Sequence, residues 1–223
     1  METLLNEAEA RVLGSLAEKQ VTTPDYYPLT LNALTNACNQ LSNRDPVVRY
    51  DERLVSEAVE SLRLKNLVYI FYGADSRVPK YKHMMREVYG LSPQELAALC
   101  VLILRGPQTV GEVRGRTGRL YEFADLREVE ETLDGMAQRD GPLVAKLPRQ
   151  AGRKEARYAH LLSGQPAVEE EADAQVLTAA PRAHASRAGD GERVARLEAE
   201  VEALRGELAE MRRQFEEFRK QFE

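Results

Sequence analysis

Apolar positions along residues 1–163 fall into two similar series. Val12, Leu13 and Leu16 share one helical face, and Ala98, Leu99 and Leu102 repeat that spacing. Each series opens with a small polar residue and a Glu three positions later, Asn6 with Glu9 and Ser92 with Glu95. That is the spacing of a reciprocal helix N-cap. Pro93 falls at a first helical position, where its missing N–H costs nothing. Two more amphipathic stretches follow in each copy, 30–40 and 51–65 in the first, 109–117 and 125–139 in the second. Each copy then closes with strand, turn and strand. The first runs from Leu67 to Tyr72, turns through 73–77 and returns to His83. The second starts at Leu143, turns through 148–154 and returns over 156–160. The return strands read Lys80-Tyr81-Lys82-His83 and Arg157-Tyr158-Ala159-His160.

Three short helices closed by a β-hairpin, twice over, predict an α+β chain that is mainly helical and carries tandem winged-helix domains. The first covers residues 1–90 and the second 91–163. In that plan the third helix is the recognition element and the hairpin is the wing.

The pattern changes after Ser163. Residues 164–191 are rich in Ala, Glu, Pro and Gly and keep no period, so they predict a flexible linker. From residue 192 to 223 a heptad returns. Val194, Leu197, Val201, Leu204, Leu208, Met211, Phe215, Phe218 and Phe222 alternate spacings of three and four, which predicts a C-terminal coiled-coil helix. Valine at the first two a positions with leucine at the first two d positions favours a parallel homodimer. The flanking pairs agree: Arg193 with Glu198, Glu200 with Arg205, and Glu207 with Arg212 place opposite charges across strands. A single amphipathic helix folding back on the repeats is the competing arrangement. The phenylalanines at the end fit a narrow dimer seam poorly.

Charge bears on partners. The 223 residues carry a net charge of −5, unusual for a nucleic-acid binder. The excess lies wholly in the tail, and the two repeats together are neutral. Phosphate contact needs local cations, not a basic total. Such clusters exist. Arg77, Lys80 and Lys82 lie on or beside the first hairpin, and Arg149, Arg153, Lys154 and Arg157 on or beside the second. Arg44, Arg49 and Arg53 surround the start of the third helix, with Arg44 in the turn Ser42-Asn43-Arg44-Asp45-Pro46. These are the candidate contacts to duplex DNA, and Arg44 is the strongest in the first repeat. A charged hairpin also protects an exposed sheet edge, with no ligand involved. Both third helices carry acids, among them Glu52, Glu57 and Glu60 in one and Glu128, Glu130 and Glu131 in the other. Carboxylates facing phosphates oppose binding, so a protein partner is the alternative. Asn32, Asn36 and Asn39 line one side of the second helix. They suit helix and loop ties better than adenine reading.

No catalytic constellation stands out, and the expectation is a non-enzymatic protein with no cofactor. His83 and His160 are equivalent hairpin ends, and His184 is in the linker. Cys38 and Cys100 lack partners at metal-ligand spacing and sit in apolar runs, where cysteine behaves as a small core residue. Residues 111–118 scatter glycines without the lysine of a phosphate loop. The longest apolar run, Leu96 to Leu104, is too short to cross a bilayer, and no secretory signal opens the chain. A cytoplasmic location is expected.

The stretch from Tyr26 to Gln40, with Ser42-Asn43-Arg44-Asp45-Pro46-Val47 and Glu87-Val88-Tyr89-Gly90-Leu91-Ser92-Pro93, resembles the YceH family of uncharacterised bacterial proteins. The resemblance runs over residues 5–162. It implies the tandem winged-helix fold and very little about activity. The tail resembles that family only loosely.

Overall fold

The computed structural model describes residues 4–72, 78–149 and 155–165. They form an α+β structure, about half helical, with seven α-helices and two small sheets among the described residues. The first repeat runs α1 (Glu7–Thr22), β1 (Leu29–Thr30), α2 (Leu31–Cys38), α3 (Glu52–Leu64), β2 (Val68–Phe71) and β3 (Lys80–His83). A short helix α4 (Met85–Tyr89) leads into the second: α5 (Pro93–Arg105), α6 (Val110–Thr117), α7 (Leu126–Ala137), β4 (Val144–Lys146) and β5 (Tyr158–His160). The linker 164–191, apart from its first two residues, and the heptad segment 192–223 lie outside the described residues.

The helix starts follow the sequence chemistry. The Asn6 side chain accepts from the Glu9 N–H at 2.9 Å while Glu9 accepts from the Asn6 N–H at 2.8 Å. Ser92 and Glu95 do the same, and so do Thr109 and Glu112 at the start of α6. Each reciprocal cap satisfies two otherwise orphaned donors. Asp51 and Asp125 cap α3 and α7 with single bonds to the N–H groups of Leu54 and Glu128.

Two elements have no counterpart in the sequence pattern. Strand β1 is two residues long and pairs with β3, so the first sheet has the order β1-β3-β2. Helix α4 is one turn and stops at Gly90, whose φ of 60° is left-handed. Neither is long enough to show a period.

The repeats do not form separate bodies. The described residues make one compact unit with one continuous core. Leu13, Leu16, Leu34, Val55 and Leu62 contribute to it from the first repeat, and Leu99, Leu102, Val129, Leu133 and Tyr158 from the second. The junction is α1 against α5. A Cβ at Gly14 would lie 2.8 Å from Ile103 Cγ2 and 3.0 Å from Leu104 Cδ2, so only glycine lets these helices approach so closely. Helix α1 is therefore enclosed on nearly every side, and even Glu9, Arg11 and Glu18 are buried. Cys38 and Cys100 are buried as core residues, and burial pushes the Cys38 thiol up to about 11.

The hairpin histidines are held neutral. His83 Nδ1 accepts from the Met85 N–H at 3.2 Å, which leaves Nε2–H to donate to Gln20 Oε1 at 2.6 Å. Burial pushes the His83 ring down to about 4, and the His160 ring likewise. Unfolding raises both to the ordinary value near 6.5, so the unfolded chain binds more protons between those limits. Stability is therefore intact above pH 6.5 and falls as the pH drops toward 4. Urea unfolding at pH 7 and pH 5 should show a loss of roughly 1–2 kcal/mol per ring, in accord with linkage. An unchanged midpoint would mean that these imidazoles are not held neutral.

Candidate nucleic-acid interface

The strongest sequence candidate is not on the surface. Arg44 is buried, its side chain entirely so. Its guanidinium donates to both carboxylate oxygens of Glu18, at 2.6 and 3.1 Å, and to the Ala37 carbonyl at 2.9 Å. The expectation that Arg44 faces DNA is therefore corrected: every donor direction is used inside the fold, and no phosphate can reach it. The whole 42–46 turn is docked. The Asp45 N–H donates to the Leu104 carbonyl of α5 at 2.9 Å, Arg105 donates to Asn43, and Arg11 donates to the Pro46 carbonyl at 2.6 Å. Asn43 takes a φ of 60°, a left-handed conformation that asparagine tolerates. The turn ties the first repeat to the second.

The asparagine row is divided in the same way. Asn39 bonds both backbone groups of Tyr50, each at 2.7 Å, and fixes the end of α2 to the start of α3. Asn32 and Asn36 are exposed and bond each other and Glu52.

The first hairpin does present a solvent face. The register pairs Tyr69 with Lys82 and Phe71 with Lys80, and Thr30 of β1 pairs with Lys80. The alternation of a strand puts Val68, Ile70, Tyr81 and His83 on the inner side, and Tyr69, Phe71, Lys80 and Lys82 on the outer. Tyr69 and Phe71 are exposed and stand opposite Lys82 and Lys80 in the register. Lys82 lies 3.8 Å from Glu87, a loose pair, and Lys80 has no acidic partner among the described residues. Arg77 at the hairpin tip lies outside the described residues.

The remaining candidates scatter. Arg49 and Arg149 are exposed with no ion pair among the described residues, whereas Arg53 is exposed but paired with Glu57 at 3.0 Å. Arg157 is half-buried and turned inward, donating to the Pro107 carbonyl at 2.9 Å with Glu112 at 3.6 Å. Arg153 and Lys154 lie outside the described residues.

The third helices neutralise themselves. On α3 Arg63 pairs with Glu60 at 2.9 Å beside the Arg53–Glu57 pair. On α7 Arg127 pairs with Glu131 at 2.7 Å, and Lys146 of β4 reaches Glu130 at 3.1 Å. These exposed pairs add little stability but leave few unpaired cations on the helix faces.

Sequence reading passed over the cations around α6. Arg114, Arg116 and Arg119 are all exposed there. The signal for them is the Arg-Gly-Arg run at 114–116. Among the described residues no group of three or more His, Cys, Asp or Glu side chains is placed to hold a metal ion. No helix among them is long and apolar enough to cross a membrane.

The buried ion pair gives a direct check. Arg44→Ala leaves Glu18 buried without its main partner and should destabilise the fold by about 3–5 kcal/mol. Arg44→Lys should recover only part of this, because an ammonium cannot reproduce the two-pronged contact. Denaturant unfolding measures both, and a near-neutral Arg44→Ala would contradict the clamp.

Comparison with known proteins adds ancestry. Residues 5–153 match the family described as "Protein of unknown function, DUF480". The chain is 52% identical over 205 residues to a UPF0502 protein of Pelobacter propionicus, covering 92% of each chain. It is 54% identical over 201 residues to one from Citrifermentans bemidjiense, covering 90% of each. A third, from Geobacter metallireducens, is 54% identical over 203 residues, again covering 90% of each. The matched lengths exceed the folded repeats, so the similarity extends into the tail beyond residue 165. By the family match and by these relatives, the chain belongs to the DUF480 (UPF0502) family of bacterial proteins.

Proposed function

We propose that this protein is a non-enzymatic, tandem winged-helix protein that associates with duplex DNA through its first wing and dimerises through its tail. The observation that carries the reading is the outer face of the β2–β3 hairpin. There Tyr69 and Phe71 stand directly across from Lys82 and Lys80. Lysines and exposed aromatic residues on one hairpin face suit the phosphates and sugars of a nucleic acid. The self-paired α3 argues for backbone association over base reading, because Glu52, Glu57 and Glu60 would meet the phosphates of the major groove. Each wing alone offers few contacts. Two wings joined by a heptad tail add their affinities through effective concentration.

A protein partner is the second reading, favoured by the exposed apolar side chains around the same wing. Leu64 is 75% exposed and Tyr72 68%. Aromatic side chains of this kind are enriched in protein interfaces.

Anisotropy titration of the full chain with duplex DNA tests the first reading. Affinity should fall steeply between 50 and 200 mM salt, and Lys80→Gln/Lys82→Gln should flatten the salt slope by roughly 1–2 units. Folded protein that does not bind at low salt would overturn it. A complex with a protein that survives nuclease and is lost in Tyr69→Ala would favour the second reading. For the tail, light scattering should give twice the chain mass, and Leu197→Arg/Leu204→Arg should return it to a single chain. Equal masses would remove tail-driven dimerisation.

A further inference from the structure

A second cationic site lies where the two repeats meet. A small cleft is lined by Glu18 and Thr22 of α1, Asn43 of the docked turn, Arg105 of α5, and Arg116 and Arg119 at the end of α6. Cys100, Val101, Leu104 and Leu120 supply apolar wall. Lys19 stands close enough to Arg119 and Arg44 to feel their charge.

The charges around this cleft do not balance. Glu18 is engaged by Arg44 at 2.6 Å and approached by Lys19 at 4.0 Å. Glu112 is shared between Arg116 at 3.7 Å and Arg157 at 3.6 Å, and it also accepts from the Thr109 N–H at 2.9 Å. The Arg105 side chain donates to the neutral side chain of Asn43, and neither Arg105 nor Arg119 forms an ion pair among the described residues. Six cations, Arg44, Lys19, Arg105, Arg116, Arg119 and Arg157, thus stand around three carboxylates, Glu18, Glu112 and Asp45. Half-buried Arg105 is pulled below the ordinary arginine range by burial and by Arg116 and Arg44, against the opposing pull of Glu18 and Asp45. Holding like charges together at an apolar wall is unfavourable unless an anion joins them.

We propose that this cleft binds the terminal phosphate of a small ligand, held by Arg105, Arg116 and Arg119 with Lys19 beside them. Guanidinium forks match the oxygens of a phosphate dianion. The recess between helices admits a terminal group, whereas a duplex presents its phosphates as a continuous ridge. The occupant draws contacts from both repeats: Lys19 belongs to the first, and the three arginines to the second. Its binding therefore fastens the repeats together. This site is separate from the wing and does not depend on the wing contacting DNA.

Thermal unfolding of the full chain with inorganic phosphate, against chloride at matched ionic strength, tests the proposal. Phosphate should raise the midpoint by several degrees with a saturable dependence, as expected for a ligand that binds only the folded state. Arg116 and Arg119 are exposed, so Arg116→Gln/Arg119→Gln should fold normally and lose that rise. Lys80→Gln/Lys82→Gln should keep it. A rise equal in chloride, or retained in the arginine variant, would overturn the site. Duplex DNA added at saturation should leave phosphate binding in place, and competitive displacement would overturn the assignment to a small ligand. Failure of the wing to bind DNA leaves the phosphate and variant readings unaffected.

Discussion

The structure depends on the close approach of α1 to α5. Gly14 permits it, since any Cβ there would run into Ile103 and Leu104. The contact converts two repeats that each resemble an independent three-helix unit into one body with one core. Helix α1 consequently has no solvent face to spare. Its polar residues need partners inside the protein, because a buried charge without one is strongly destabilising. Glu9 finds Lys65 at 2.6 Å, Glu18 finds Arg44, and Arg11 finds the Pro46 carbonyl. The ion pairs of the interior thus follow from the helix packing.

That packing also explains where the candidate interface moved. A turn between the second and third helices, with an arginine between asparagine and aspartate, has the composition of an exposed phosphate contact. Here the same turn is wedged between α1 and α5, and its arginine completes a buried salt bridge. The cationic surface left over is on the outer face of the first hairpin and around α6. The first lies on the solvent face of that hairpin, and the second borders the cleft where the two repeats meet.

Much of the fold was legible because it is written in local signals. Asn6 with Glu9 and Ser92 with Glu95 mark two helix starts, and both caps are formed as their spacing requires. The apolar faces of α3 and α7 hold the residues that the 3.6-residue period selects, Val55, Val59 and Leu62 in one and Val129, Leu133 and Met136 in the other. Elements of two to five residues, β1 and α4, carry no period and were invisible. The burial of Arg44 was hidden for a different reason. Its partner Glu18 lies in another helix, and an ion pair formed through tertiary packing leaves no trace in local spacing. Arg116 and Arg119 were missed for the same reason, since the neighbours that give them meaning, Arg105 and Lys19, come from other helices.

The division of charge follows from these constraints. The repeats together are neutral, while Glu18 and Glu9 hold buried Arg44 and half-buried Lys65. Each such pair is neutral by itself and leaves the balance of the outer charges unchanged. The third helices cancel most of theirs with Glu at three- or four-residue spacing. The first hairpin and the inter-repeat cleft cancel less of theirs, and Arg49 and Arg149 are also exposed without an ion pair among the described residues. A net charge near zero over the repeats hides this arrangement because it sums over groups that never see one another. Screening within about 10 Å at ordinary salt makes each patch act on its own. For an anion approaching this protein, the relevant quantity is which cations lack an adjacent carboxylate, and by that measure Lys80, Arg105 and Arg119 matter more than the total.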